Sequence, residues 1–154
     1  MSQLSKEKFL EELESNLTRK IQQIQLEIEQ LRLDISSDTK STAGDKHETS
    51  RAMAQLEMEK LGKQFSDYQK QLHATKQFLL HASQPSSDGI TVGSLVELSN
   101  GLYFLGLGIG KVDVEHTSVF CISIQSPLGQ QMLDKKIGQE IILPNLRTSV
   151  LAIY

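Results

Sequence analysis

The chain has 154 residues, 38% of them hydrophobic and 23% charged, which suits one ordinary folded domain or two small ones. A net charge of −3, with Lys and Arg scattered among acids, argues against a protein that holds bare nucleic acid by neutralising phosphates. No apolar run approaches the roughly 18 residues of a membrane span, and Met1–Glu7 lacks a signal peptide's apolar core, so a cytoplasmic protein without a membrane partner is expected.

The first half reads as helix. Apolar residues at Phe9, Leu13, Leu17, Ile21, Ile24, Ile28, Leu31 and Ile35 recur every three or four positions, one stripe on a helix with polar residues elsewhere. No Gly or Pro occurs before Gly44. From Phe9 to Ile35 such a helix would measure about 40 Å at 1.5 Å per residue. A second stripe, Ala54, Met58, Leu61, Phe65, Tyr68, Leu72, Thr75 and Leu79, alternates steps of four and three, the repeat of a coiled coil. Gly62 is its weak point. The polar stretch from Ser36 to Gly44 separates the stripes, and Asp38 reads as a turn residue. Two narrow stripes about a polar break predict an antiparallel hairpin in which each helix completes the other's core. An open coiled coil that dimerises is the alternative.

Ser83 to Gly89 is a linker by composition, and after it the period changes. Runs at 94–98 and 103–107 flank Asn100-Gly101, a two-residue hairpin signal. Val119–Ile124 is a further strand, with Cys121, the single cysteine, read as a buried small hydrophobe. Ser126-Pro127 then predicts a short helix, with Ser126 as N-cap and Pro127 in its first position, ending near Leu133. Glu140–Leu143 and Ser149–Tyr154 complete about five strands. The predicted fold class is α+β, a helical hairpin over 1–82 with its tip near 38–50, a linker at 83–89 and a β-rich domain over 90–154 with one short helix. A cut near Pro85 is expected to leave the second half able to fold alone.

Chemistry concentrates where the second helix should begin, at Gly44-Asp45-Lys46-His47-Glu48. Asp45 and Glu48 are three apart, which puts both carboxylates on one side of a first helical turn. Two carboxylates displayed together can share a hard divalent cation such as Mg²⁺, which keeps several waters and takes phosphate oxygens as further ligands. Such a site can orient a water for phosphodiester hydrolysis. The same spacing is also a capping signature, with Asp45 accepting from the Glu48 backbone N–H and Glu48 reaching back, and both acids suit the positive end of a helix dipole. Spacing alone leaves both readings open. His47 reads as a solvated loop residue rather than a ligand.

The chain resembles the Gre family of bacterial transcription elongation factors along nearly its whole length. Gly44-Asp45-x-x-Glu48 is similar to the family's acidic tip motif. Ile122 to Gly129, with its Ser-Pro-Leu-Gly, continuing through Leu133–Gly138 to Glu140, looks like the family's C-terminal signature and is the more specific match. The resemblance implies an FKBP-like C-terminal domain and a hairpin that enters the secondary channel of RNA polymerase. It implies that Asp45 and Glu48 help hold a second Mg²⁺ and position a water, so that the polymerase cleaves backtracked RNA. On this reading the chain is no enzyme. It stimulates the polymerase's own endonuclease activity and meets the RNA 3′ end only inside that complex. Its Mg²⁺ is shared with the polymerase and bound weakly or not at all by the isolated protein, which is expected to be a monomer.

Lys46-His47-Glu48-Thr49-Ser50-Arg51-Ala52 departs from the family's usual run after the tip. A polymerase-binding modulator or inhibitor that stimulates no cleavage is therefore the second reading. A coiled-coil adaptor and a prolyl isomerase are further competitors. The isomerase is suggested by fold alone and would need an aromatic-lined pocket.

Overall fold

The structure is a computed structural model. It describes residues 4–38, 45–84 and 87–154, with the side chains of 37–38 and 45–47 outside that description. Among the described residues the order is α1 (Lys6–Asp38), α2 (Asp45–Leu80), β1 (Leu95–Leu98), β2 (Gly101–Leu105), β3 (Gly110–Val114), β4 (Thr117–Ile122), α3 (Pro127–Met132), β5 (Glu140–Leu143) and β6 (Leu146–Ile153). The class is α+β, as expected. No described helix is long and apolar enough to cross a membrane.

The residues group into two compact units. One comprises Ser15–His73, the outer parts of α1 and α2. The other joins the chain up to Glu14 with Ala74–Tyr154, so it holds the first turns of α1, the last turns of α2 and the whole sheet. The described part of the expected linker lies inside this second unit, and 85–86 lie outside the described residues.

Both helices run further than their stripes. Ser5 caps α1, its Oγ accepting from the Lys8 N–H at 3.1 Å, which satisfies one of the helix's orphan donors. At the other end Asp38 is the last residue of α1, a correction to its reading as a turn residue. In the unit Ser15–His73, Leu17, Ile24 and Leu61 are buried, and Ile21, Ile28, Leu31, Met58, Phe65, Tyr68 and Leu72 are half-buried. The helices pair antiparallel within one chain. Lys20 places its ammonium 5.5 Å from the Tyr68 ring centroid. Further along, one groove is lined by Glu27, Leu31 and Asp34 of α1 with Glu57 and Leu61 of α2. Gly62 is exposed, and a Cβ there would meet nothing within 4 Å. Gly62→Ala should therefore stabilise the hairpin by about 0.5–1 kcal/mol, mainly through the entropy of the unfolded chain. A thermal midpoint that falls instead would show that the glycine serves a purpose at that turn.

The sheet has six strands in the order β3-β4-β2-β1-β6-β5, one more than expected. β1 and β2 form an antiparallel hairpin with Leu98 opposite Gly101, so the loop is Ser99-Asn100, one residue earlier than the Asn-Gly signal suggested. β2 and β4 run parallel, and the other neighbours are antiparallel. The additional strand is β3, an edge strand closed onto β4 by Glu115-His116, both at positive φ (48° and 66°). Two such residues make the primed turn whose twist suits a hairpin. Lys8 of α1 pairs with Glu115 at 3.2 Å, and its hydrogen bond to that carboxylate holds the lysine above its ordinary range.

Strand alternation divides the sheet into two apolar faces. Val96, Leu98, Tyr103, Leu105 and Val150 form one core with Met132 of α3, Ile90 and Ile141. The opposite face carries Leu95, Leu102, Phe104, Val119 and Cys121, which the register aligns across β1, β2 and β4. Phe104 is fully buried there. Phe9 of α1 and Phe78 of α2 lie against it, with ring centroids 5.4 and 5.3 Å away, and the Phe78 pair is edge-on. The helix ends are thus part of this domain's core. Cys121 is buried as expected, and desolvation pushes its thiol up to about 12, so it stays protonated and unreactive.

Candidate functional site

The acidic pair occupies the start of α2, which opens at Asp45. From Asp45 through Leu61 the chain has no Gly or Pro, and acids in the first turn face the positive end of the helix dipole. Glu48 lies one turn into the helix and is exposed, as are Thr49, Ser50 and Arg51 after it. The backbone of Asp45 is described, whereas its side chain and those of Lys46 and His47 are not. The expected Asp45 cap, its converse as a metal ligand and any role of His47 therefore lie outside the described residues. So does Gly44, the first residue of the tip motif.

Among the described residues, no group of three or more His, Cys, Asp or Glu is gathered closely enough to hold a metal ion. Two carboxylates supply the hard oxygen donors that Mg²⁺ prefers, but that cation is six-coordinate. The donor set fits Mg²⁺ only as one edge of a site that a partner's oxygens and waters complete.

The second motif can be read atom by atom. Ser126 has extended backbone (φ −72°, ψ 155°), and its Oγ accepts from the Gly129 N–H at 3.0 Å while donating to the Ser123 carbonyl at 2.7 Å. Pro127 follows at the start of α3, where its missing N–H costs nothing. Gly129 is buried, and a Cβ there would stand 2.1 Å from the Ser123 carbonyl oxygen. Further on, Gly138 takes φ +92°, a conformation open to glycine, and donates to the Val150 carbonyl at 2.8 Å. Ser126, Pro127, Gly129 and Gly138 each have a local folding reason. Gly129→Ala should therefore destabilise the domain by about 3 kcal/mol or more, because the obstacle is backbone rather than a side chain that can turn away. A denaturation midpoint close to wild type would show that α3 can slide.

Phe104 and Tyr103 of β2 are engaged by other rings and do not form an open aromatic-lined pocket between them. The Phe104 ring is closed off by Phe9 and Phe78, and Tyr103 stacks tilted on Phe120 at 5.3 Å. Tyr103 also accepts from Asn100 Nδ2 at 3.0 Å, in a chain that runs through Thr148 to Ser99. Sequence reasoning missed this polar chain. It also missed a cleft of about 530 Å³ formed where Lys6, Phe78, the 91–94 turn and Tyr154 meet. Both bring together residues far apart in the chain, which periodicity does not register.

No known protein-family profile matches the chain. No curated protein sequence matches it. Among solved structures, one described as that of the transcription factor Gfh1 is similar, at 16% identity over 92% of each chain with a TM-score of 0.34.

Proposed function

We propose that this chain is a Gre-type transcription factor that binds RNA polymerase through its secondary channel and stimulates cleavage of backtracked RNA. The observation that carries the proposal is the position of the acidic pair. α2 opens at Asp45 and Glu48 is exposed in its first turn, so the motif stands at the end of an antiparallel hairpin. The order of hairpin, β-rich domain and Ser-Pro-Leu-Gly helix start supports the same reading. The work of the pair is to add oxygen ligands and negative charge at a site the polymerase completes. A second Mg²⁺ held there would polarise a phosphodiester and lower the pKa of a water. Asp45 and Glu48 would orient that cation, and the rest of the hairpin would deliver them to it. The factor has no nuclease activity alone and acts as a cytoplasmic monomer.

A second reading keeps the docking and drops the cleavage. The basic residues Lys46 and Arg51 around the pair favour it, since they offset the negative charge a cation needs. The experiment is RNA release from halted, backtracked elongation complexes with cognate polymerase, comparing wild type with Asp45→Asn and Glu48→Gln. Stimulation by wild type that both variants lose, while still binding polymerase, supports the first reading. Binding without stimulation by wild type supports the second.

A further inference from the structure

The cleft of about 530 Å³ lies within the sheet-bearing unit, at the junction of the first turn of α1, the last turns of α2 and the 87–94 segment. Its volume falls within the range of small-molecule sites. Its lining has an asymmetric chemistry. Lys6 and His81 contribute nitrogen groups and Thr91 and Ser94 hydroxyls, the Ser87 hydroxyl donates to the Gly89 carbonyl at 2.8 Å, and none of the described lining side chains is that of Asp or Glu. Phe78, Val92 and Tyr154 give it an apolar wall.

Lys6 is half-buried, and among the described residues no carboxylate stands within ion-pair distance of it. Desolvation is what lowers its pKa, with no neighbouring acid to raise it. What sets Lys6 apart from its neighbour Lys8, which pairs with Glu115, is that it is half-buried against the cleft with no carboxylate beside it. The floor is built rather than incidental. Thr91 N–H donates to Ser94 Oγ at 3.0 Å, Ser94 N–H returns to the Thr91 carbonyl at 3.0 Å, and Ser94 is buried. Gly93 stands at φ +95°, and a Cβ there would be 3.1 Å from the Phe78 ring, so glycine lets the turn close on that ring.

We propose that this cleft binds a small organic anion, a phosphate or carboxylate carried on a flat apolar body. Lys6 supplies the charge that meets the anion, with His81 and the Thr91–Ser94 hydroxyl pair as hydrogen-bonding groups, while Phe78, Val92 and Tyr154 cover the body. Binding joins three segments of one domain and stabilises it by mass action.

The test is a titration of the full chain with phenyl phosphate and, separately, inorganic phosphate, followed by amide chemical shifts and thermal midpoint. Phenyl phosphate should bind saturably with Kd of about 1 mM or tighter. The shifts should centre on Thr91–Ser94, and inorganic phosphate should bind about tenfold more weakly. Lys6→Met, which keeps the apolar stem, and His81→Gln should each weaken phenyl phosphate binding severalfold with amide spectra otherwise native. Absence of saturable binding overturns the proposal. So does binding that both variants leave unchanged, and equal affinity for the two probes removes the apolar body from the ligand class.

Discussion

A fragment of residues 87–154 is expected not to fold on its own. The composition of Ser83–Gly89 suggests a free linker and an autonomous second half, but the packing argues otherwise. Phe9, Leu10 and Leu13 are almost wholly buried in the unit that contains the sheet, and Phe9 and Phe78 cover Phe104 on it. Each large apolar side chain fully buried contributes about 1.5–3 kcal/mol. Removing Phe9, Leu10 and Leu13 therefore forfeits about 4.5–9 kcal/mol, and losing the half-buried Phe78 adds to it, as much as a domain of this size has in total. The loss also uncovers Leu95, Phe104 and Val119, which the native chain buries completely. The check is an amide correlation spectrum and a thermal melt of the fragment. A dispersed spectrum with a cooperative transition would show that the helix ends are ornament to the sheet's core. Point variants grade the same effect in the full chain. Phe104→Ala and Phe9→Ala should each cost about 3–5 kcal/mol. Together they should cost less than the sum, because they remove the same contact.

The helical half was legible because each stripe has a period, and every side chain of those stripes is buried or half-buried, although Leu10 and Phe78, which lie in neither stripe, are also packed inward. Periodicity named the apolar face of α1 but not what covers it. Phe9 lies in the same stripe as Leu17 and Ile24, yet its ring partner is a sheet residue, Phe104. β3 escaped notice because it is a short edge strand with only Val112 and Val114 as apolar residues, and its turn places Glu115 and His116, not Asn-Gly, at positive φ. The hairpin signal at Asn100-Gly101 led to the right pair of strands in a register one residue off, since Gly101 opens β2. Ser126 as N-cap and Pro127 at the start of α3 were readable because capping is local chemistry. Gly129 was legible only as part of the Ser-Pro-Leu-Gly run; its reason, the Ser123 carbonyl oxygen that the Ser126 turn holds over the start of α3, is a contact that spacing does not show. The acidic pair was legible as a motif; the backbone of both residues lies in the opening of α2, and the Asp45 side chain lies outside the described residues.

Glu48→Gln is expected to separate two roles that spacing alone leaves together. As part of a helix cap, an exposed acid in the first turn contributes about 0.3–1 kcal/mol through the dipole and its hydrogen bond. The amide keeps an acceptor, so the isolated protein's thermal midpoint should barely move. At a shared metal the same change removes a full charge and an anionic ligand. A loss of about 3 kcal/mol of transition-state stabilisation there would slow RNA release about a hundredfold. Asp45→Asn should behave alike, since asparagine is as good an N-cap as aspartate. Because the lost quantity is affinity for a cation, raising Mg²⁺ should recover part of the rate in either variant, and a polymerase-binding assay should show normal docking throughout. The capping account predicts the opposite pattern. Stability would fall with Asp45→Ala by about 1 kcal/mol, cleavage would survive Asp45→Asn and Glu48→Gln untouched, and added Mg²⁺ would change nothing. Stability and cleavage measured on the same three variants thus assign the pair to a metal or to its own helix.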